Sequence, residues 1–287
     1  MTFDSAMSSE APSAHGLSGV PLTLLWTLHN RASEACRADA RLHDPDAVRI
    51  RDALPFDYVG HFGAADGSHA LRSAVFDAAV REWLDRHRGG QVVELACGLE
   101  TQVRRCDDGQ VRWLAIDLPE VIALRERFLP PDARRRHLAC SATDLRWMDA
   151  VDATAPVFIT AQGLLMYLPP NEVSALLAAI DARFPRYVLM FDAIPRWFSR
   201  KTLRGFALTS RYVVPPMPWG INGPETEPFL TRVMPRSGGV VFHAFGPMRG
   251  ARGRLLALMQ RVPWIADRLP QIVQTGALGW RGGWQIP

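Results

Sequence analysis

Apolar residues in this chain follow two alternating rhythms. Largely apolar runs at 92–95, 111–116, 156–161 and 187–192, with a weaker one near 137–140, read as strands covered on both faces, since a half-covered strand would alternate. Between them lie stripes at intervals of three and four. Leu71, Val75, Ala78, Ala79 and Trp83 give one apolar face to a helix from Ser68 to Arg86, and Val173, Leu176, Leu177, Ile180 and Phe184 do the same after Pro169-Pro170. Further helices are expected from Leu22 to Arg37, with Leu24, Leu25 and Leu28 on one side, and at 101–106 and 119–128. Five strand–helix units in succession require right-handed crossovers. The expected fold class is therefore α/β: a doubly wound, mostly parallel, Rossmann-like sheet with helices on both faces.

Outside this rhythm the chain is punctuated differently. Residues 1–19, rich in Ser, Ala, Gly and Pro, read as a flexible tail, and 20–287 as a single domain with an N-terminal helical cap over 20–88. From 196 to 238 the pattern fails: Pro215, Pro216, Pro218, Pro224 and Pro228 accompany Trp197, Phe198, Phe206, Tyr212 and Trp219. An insertion of that length is expected to form a lid or binding loop. Val240 to Phe245 reads as a late strand, Leu255 to Met259 fits strand or helix, and 270–287 carries no assignable pattern.

Composition narrows the class. With 287 residues, 48% of them hydrophobic and 22% charged, the chain is an ordinary soluble globular protein. Lys201 is the only lysine among 33 basic residues, which face 29 acids for a net charge of +4. The densest basic cluster, Arg134-Arg135-Arg136-His137, reads as a solvated turn, because no aromatic-interleaved basic stripe accompanies it; no nucleic-acid partner is expected. Cys36, Cys97, Cys106 and Cys140 contain no C-x-x-C pair and no histidine at ligand spacing, so no metal is expected. No apolar run suits a membrane span or a signal sequence, and the expected location is cytoplasmic. Nothing indicates an oligomeric state.

The chemistry concentrates where the first run ends. Val92-Val93-Glu94-Leu95-Ala96-Cys97-Gly98 is a buried strand passing through a small-residue turn, and Asp117 follows nineteen residues after Gly98 at the end of the next run. An acid so placed can take two ribose hydroxyls. A dinucleotide needs G-x-G-x-x-G for its pyrophosphate, but those positions hold Ala96, Gly98 and Thr101. S-adenosylmethionine (SAM) carries no phosphate and needs only one close backbone approach. The spacing favours SAM over NAD and leaves open an ordinary loop of a cofactor-free sheet.

Several blocks in order carry a family likeness: Leu24 to Glu34, Leu71-Arg72-Ser73, the Gly98 turn, Asp117-Leu118-Pro119-Glu120-Val121, Ala142-Thr143-Asp144-Leu145 and Gly163-Leu164-Leu165-Met166-Tyr167-Leu168-Pro169. Over residues 22–194 the chain resembles the leucine carboxyl methyltransferase type of class I SAM-dependent methyltransferases, and within it the tetracenomycin-type polyketide O-methyltransferase branch. The resemblance implies that Arg72 pairs with the SAM carboxylate, that the Gly98 backbone follows the methionine part, and that Asp117 holds the ribose. It also implies that Asp144 and Leu145 frame the adenine, with Glu94, Leu118 and Gln162 completing the cofactor site. The broad pattern Gly-x-Gly-x-Asp-Thr-Arg becomes Ala96-Cys97-Gly98-Leu99-Glu100-Thr101-Gln102 here, and its Glu-Gly becomes Gln162-Gly163. Gln162 can accept from the SAM amino group but brings no charge.

Methyl transfer is an in-line displacement that depends chiefly on positioning. A carboxylate needs no general base, whereas a phenol does, and the sequence offers no evident base: His29 and His243 read as packing or surface histidines. The expected reaction is O-methylation of a small-molecule carboxylate, polyketide-like or another secondary metabolite. A phenolic acceptor, a dinucleotide-dependent reductase and a non-catalytic SAM-binding protein are the alternatives. Tyr167 is the candidate beside the reacting oxygen, and Thr23, Arg196, Trp197 and Trp219 are candidates for holding the acceptor under the lid.

Overall fold

The computed structural model describes residues 16–244, Leu255, Leu258 and 262–277. Seven strands form one sheet in the order β3-β2-β1-β4-β5-β9-β8: β1 (Gln91–Leu95), β2 (Arg112–Asp117), β3 (Arg135–Ala139), β4 (Val157–Ala161), β5 (Tyr187–Ala193), β8 (Ser237–His243) and β9 (Gln271–Ala277). The first five run parallel, and β9 is antiparallel to both β5 and β8. Strands β1 and β4 are buried along their whole length, which is why their sequences show runs rather than alternation. One face packs on α7 (Pro170–Arg183), where Val173, Leu176, Leu177 and Ile180 meet Trp147 and Phe184. The other packs on α4 (Ser68–Arg86), where Phe76, Ala79, Val80 and Trp83 meet Trp113 and Phe158. The doubly wound, mostly parallel sheet is the architecture expected.

Strand order reverses between β1 and β4. A crevice must open beyond the carboxyl ends of the strands at such a point. Over it lies an N-terminal cap of α1 (Thr23–Ala35), α2 (Pro45–Ala53) and α3 (Tyr58–Phe62). Helix α2 is capped by Asp44, whose side chain accepts the Ala47 N–H at 3.0 Å. The cap is fastened to α5 (Gln102–Cys106) by a buried ion network. Arg31 donates to Asp44, Glu100 and the Leu99 carbonyl, and Arg105 donates to Asp44, Asp77 and Glu100. Burial works to raise the Glu100 carboxyl, but Arg31 and Arg105 outweigh it and hold the group well below the usual carboxylate range.

Several expectations take a different form in the structure. The segment 196–238, expected as a lid or binding loop, holds α8 (Arg196–Leu203), a hairpin of β6 (Phe206–Thr209) and β7 (Tyr212–Val214), and α9 (Gly223–Val233). Trp219 within it belongs to the core, 5% exposed between Phe191 and Phe229. The cluster Arg134–His137 opens an edge strand instead of a turn, with Arg134 paired to Asp107 and Arg135 to Asp132. Of the tail 1–19, residues 1–15 lie outside the described residues, while Leu17 is packed into the cap's core. The late strand spans Ser237–His243, Leu255–Met259 falls largely outside the described residues, and the unassigned tail contributes β9.

Strand β9 could not be read because its polar residues are all inside. Gln274 pairs with His243 at 2.7 Å, Gln271 with Thr226 at 3.1 Å, and the Thr275 hydroxyl donates to the Gly239 carbonyl at 2.7 Å. Paired in this way, buried amides and hydroxyls cost little. No helix among the described residues is long and apolar enough to cross a membrane.

Candidate active site

A cavity of about 580 Å³ occupies the crevice, bounded by the β1, β2, β4 and β5 ends below and α1 above. Its floor is the turn after β1. Ala96 takes a left-handed φ of 53° there, at a cost of about 1–2 kcal/mol for a side chain, and Gly98 follows at 47°. A Cβ on Gly98 would stand 3.3 Å from that of Leu24, so glycine also admits α1 over the turn. Two side chains clamp this turn. Asp117, which lines the cavity, accepts the Gly98 N–H at 2.7 Å and the Leu118 N–H at 2.8 Å, leaving each oxygen one further lone pair. Arg125, on α6 (Pro119–Glu126), is fully buried and donates to the carbonyls of Gly98 at 2.9 Å and Glu100 at 2.6 Å.

Beneath the turn, Glu94 accepts the Trp113 indole N–H at 3.1 Å and lies 3.6 Å from Arg125, but its Oε1 has no partner. Burial pushes its carboxyl up to about 7, against the pull of Arg125. Asp117 is likewise raised by burial despite its two backbone donors.

At the β4 and β5 ends a second cluster forms. Arg72, inward on α4, donates to Asp192 at 2.9 Å, and the other Asp192 oxygen accepts the Gly163 N–H at 2.5 Å. Gly163 has φ 64°, and a Cβ there would meet Arg72 Nη1 at 3.1 Å. Both polar atoms of the Gln162 amide are buried without a partner, as are Arg72 Nε and His69 Nδ1. Burial drives the His69 imidazole down to about 3, and the edge of its ring contact with Trp26 is 5.0 Å between centroids. Tyr167 lines the same wall, its phenol pushed up to about 12 by burial while a hydrogen bond with Thr23 works in the opposite direction.

Among the residues singled out from sequence, the cavity thus gathers Thr23, Arg72, Glu94, Gly98, Asp117, Leu118, Gln162 and Tyr167. It does not gather five others. Asp144 is turned to Arg146 and Leu145 is 42% exposed; the wall at that end is Cys140, Ser141 and Ala142 instead. Arg196 pairs with Glu225 on the surface, Trp197 donates to the Arg268 carbonyl, and Trp219 is core, so none of the three reaches the cavity. Sequence reading missed Asp192 and His69. The first had a signal, an acid closing a predicted strand; the second lies on an amphipathic helix with none.

The residues present fit SAM. Partnerless buried amide and guanidinium atoms at Gln162 and Arg72 suit an amino acid end, and the spare lone pairs of Asp117 suit a diol. Among the described residues no group of His, Cys, Asp and Glu side chains could hold a metal ion.

Comparison with known proteins agrees with this geometry. The family model for leucine carboxyl methyltransferase matches residues 34–181. The tetracenomycin polyketide synthesis O-methyltransferase of Streptomyces glaucescens is 30% identical over 216 residues, covering 73% of this chain and 78% of that protein. A protein of Saccharopolyspora erythraea described as a SAM-dependent methyltransferase is 34% identical over 207 residues, covering 63% and 70%. Among solved structures, a Thermobifida fusca protein described as a methyltransferase superimposes with a TM-score of 0.51 at 15% identity, covering 91% and 95%, a likeness of fold.

Proposed function

The chain belongs to the leucine carboxyl methyltransferase family and is a SAM-dependent methyltransferase, and from that premise we propose that it O-methylates a carboxylate on a polyketide-like small molecule. The supporting observation is the proton chemistry of the cavity. Among the described residues lining it, His69 holds a proton only below about 3 and Tyr167 keeps its own until about 12. Asp117 and Asp192 are engaged by backbone N–H groups and Arg72, Asp66 by the Ser68 N–H and hydroxyl, and Glu100 by Arg31 and Arg105, while Glu94 lies under the cofactor turn. A phenol, with an ordinary pKa of about 10, would find no group to take its proton, whereas a carboxylate arrives ionised.

SAM, when bound, supplies an electrophilic methyl on sulfur. Gln162, Arg72 and Asp117 would hold it, with the buried Glu94 carboxyl, raised to about 7, beneath the turn. The chain's remaining work is to orient the acceptor and exclude water. Leu24, Trp26, Met166, Ile194, Phe198 and Met217 give the rest of the cavity an apolar lining suited to a flat, largely carbon skeleton. Tyr167, neutral throughout the working range, forms part of the wall beside the acceptor, its phenol held by a hydrogen bond with Thr23.

Relatedness to a polyketide O-methyltransferase supports oxygen as the nucleophile. The test is the pH dependence of single-turnover methyl transfer to acid and phenol acceptors. A carboxylate should react at a rate flat within about twofold over the range where it is fully ionised, about pH 6 to 9. A rate climbing tenfold per pH unit there would mark an acceptor that must first lose a proton, and would overturn the carboxylate.

A further inference from the structure

Helix α8 has two faces of different character. Phe198, Ser199 and Thr202 face inward: Phe198 lines the acceptor end of the cavity, and the other two are buried, with Ser199 donating to the Met217 carbonyl at 2.7 Å and Thr202 accepting the Met217 N–H at 3.0 Å. Trp197, Arg200, Lys201 and Arg204 recur at i, i+3, i+4 and i+7, so they form one stripe on the outer side. With Gly205 and Phe206 they line a depression of about 410 Å³.

This depression is built and charged. Trp197 is held by its indole N–H on the Arg268 carbonyl at 2.8 Å, yet remains 48% exposed. Lys201, the chain's only lysine, stands 3.8 Å from the centre of the Phe206 ring. Among the described residues no carboxylate lies within ion-pair distance of Arg200, Lys201 or Arg204. Glu225, the acid whose pKa responds to Arg200, is already bonded to Arg196 at 2.7 Å and to the Asn222 N–H at 3.0 Å. Cations near a helix C-terminus are ordinary, because the macrodipole favours them by a few tenths of a kcal/mol. That preference explains neither the concavity nor the aromatic walls.

The depression also adjoins the acceptor space. The Phe198 ring contacts Trp197 at 5.5 Å and Phe206 at 5.7 Å between centroids, so one aromatic side chain separates the two. Leu269 and Pro270, which follow the residue that anchors Trp197, line the cavity as well.

We propose that the outer face of α8 is a subsite for a phosphate ester on an organic arm, carried by the methyl acceptor or its tether. It rests on the assignment of the adjoining cavity to the acceptor. Two guanidinium groups and an ammonium supply the donors that phosphate oxygens accept, and the exposed Trp197 face supplies an apolar wall for the arm. A free inorganic anion would use only the first of these. Both spaces lie against the same side chain, Phe198, which lines the cavity and contacts Trp197 and Phe206 of the depression.

The test uses the full chain and three probes titrated by calorimetry at low salt: 4′-phosphopantetheine, pantetheine and inorganic phosphate. The first should bind at least about tenfold tighter than either of the others, and weaken as salt is raised. The doubly substituted Arg200→Ala/Arg204→Ala protein should lose about tenfold or more of that affinity, the scale of a lost charge-assisted hydrogen bond, while binding S-adenosylhomocysteine like the parent. Equal affinity for inorganic phosphate would reduce the depression to a general anion patch and overturn the proposal. So would absence of 4′-phosphopantetheine binding, or binding unchanged by the substitutions. Failure of the methyltransferase site itself would show separately, as loss of S-adenosylhomocysteine binding by the parent.

Discussion

Asp117→Ala separates the cofactor role of this carboxylate from its structural one. In the free protein the carboxylate accepts two backbone N–H groups, at 2.7 and 2.8 Å, each worth about 1.5–3 kcal/mol as a charge-assisted bond. Yet its pKa is raised, with burial the largest cause, so desolvation outweighs what those bonds return to the charged form. The two N–H groups left without their acceptor cost about 1–3 kcal/mol each, and relief from burying the carboxylate offsets much of that, so the net cost of the substitution to folding should be about 1–3 kcal/mol. Binding is different: the remaining lone pairs have no role until a ligand diol fills the crevice. Losing them should weaken S-adenosylhomocysteine by about 1.5–3 kcal/mol, or roughly ten- to 150-fold. Calorimetric titration with thermal melting of the ligand-free protein measures both quantities. Affinity within twofold of the parent at an unchanged melting temperature would refute the ribose role; a collapse of stability with normal affinity per folded molecule would show that Asp117 only braces the turn.

Two other outcomes follow from burial. Glu94 titrates near 7 in the folded chain against an ordinary 4.5, so the native state holds the extra proton between those values and the group's contribution to stability falls as pH rises from about 4.5 to about 7. Glu94→Gln should remove that component, and the pH 5 to pH 8 change in urea midpoint should move toward greater stability at pH 8; an unchanged difference would mean Glu94 titrates normally. Trp219→Ala should cost about 3–5 kcal/mol in urea unfolding, because the ring is core between Phe191 and Phe229, whereas Trp197→Ala should cost under about 1 kcal/mol. Comparable losses at both positions would contradict the separation of core from surface.

What could be read before the structure was what repeats or what stands at a strand end. Strands β1, β2, β4 and β5 declared themselves as apolar runs because both faces are covered, and Gly98 and Asp117 because a turn and an acid after such runs have few other uses. The acid Asp192 carried the same signal and went unused. Strand β9 was hidden because its Gln and Thr side chains find buried partners on neighbouring elements, at His243, Thr226 and the Gly239 carbonyl, so polarity no longer marks exposure. The insertion misled for a related reason: Trp197 and Trp219 are 22 residues apart in one proline-rich stretch, and only packing decides that one faces solvent and the other Phe191. Asp144 misled through its partner two residues on, since Arg146 turns the carboxylate away from the cavity.

The proposed destination of the transferred methyl is a carboxylate. It is tested most directly by incubating the protein with SAM labelled in the methyl group and a panel of polyketide-derived acids and phenols, then treating the isolated product with mild alkali. A labelled product from an acid, hydrolysed to release the label as methanol, is the expected result. Label retained through the same treatment in an alkali-stable methyl ether would contradict it.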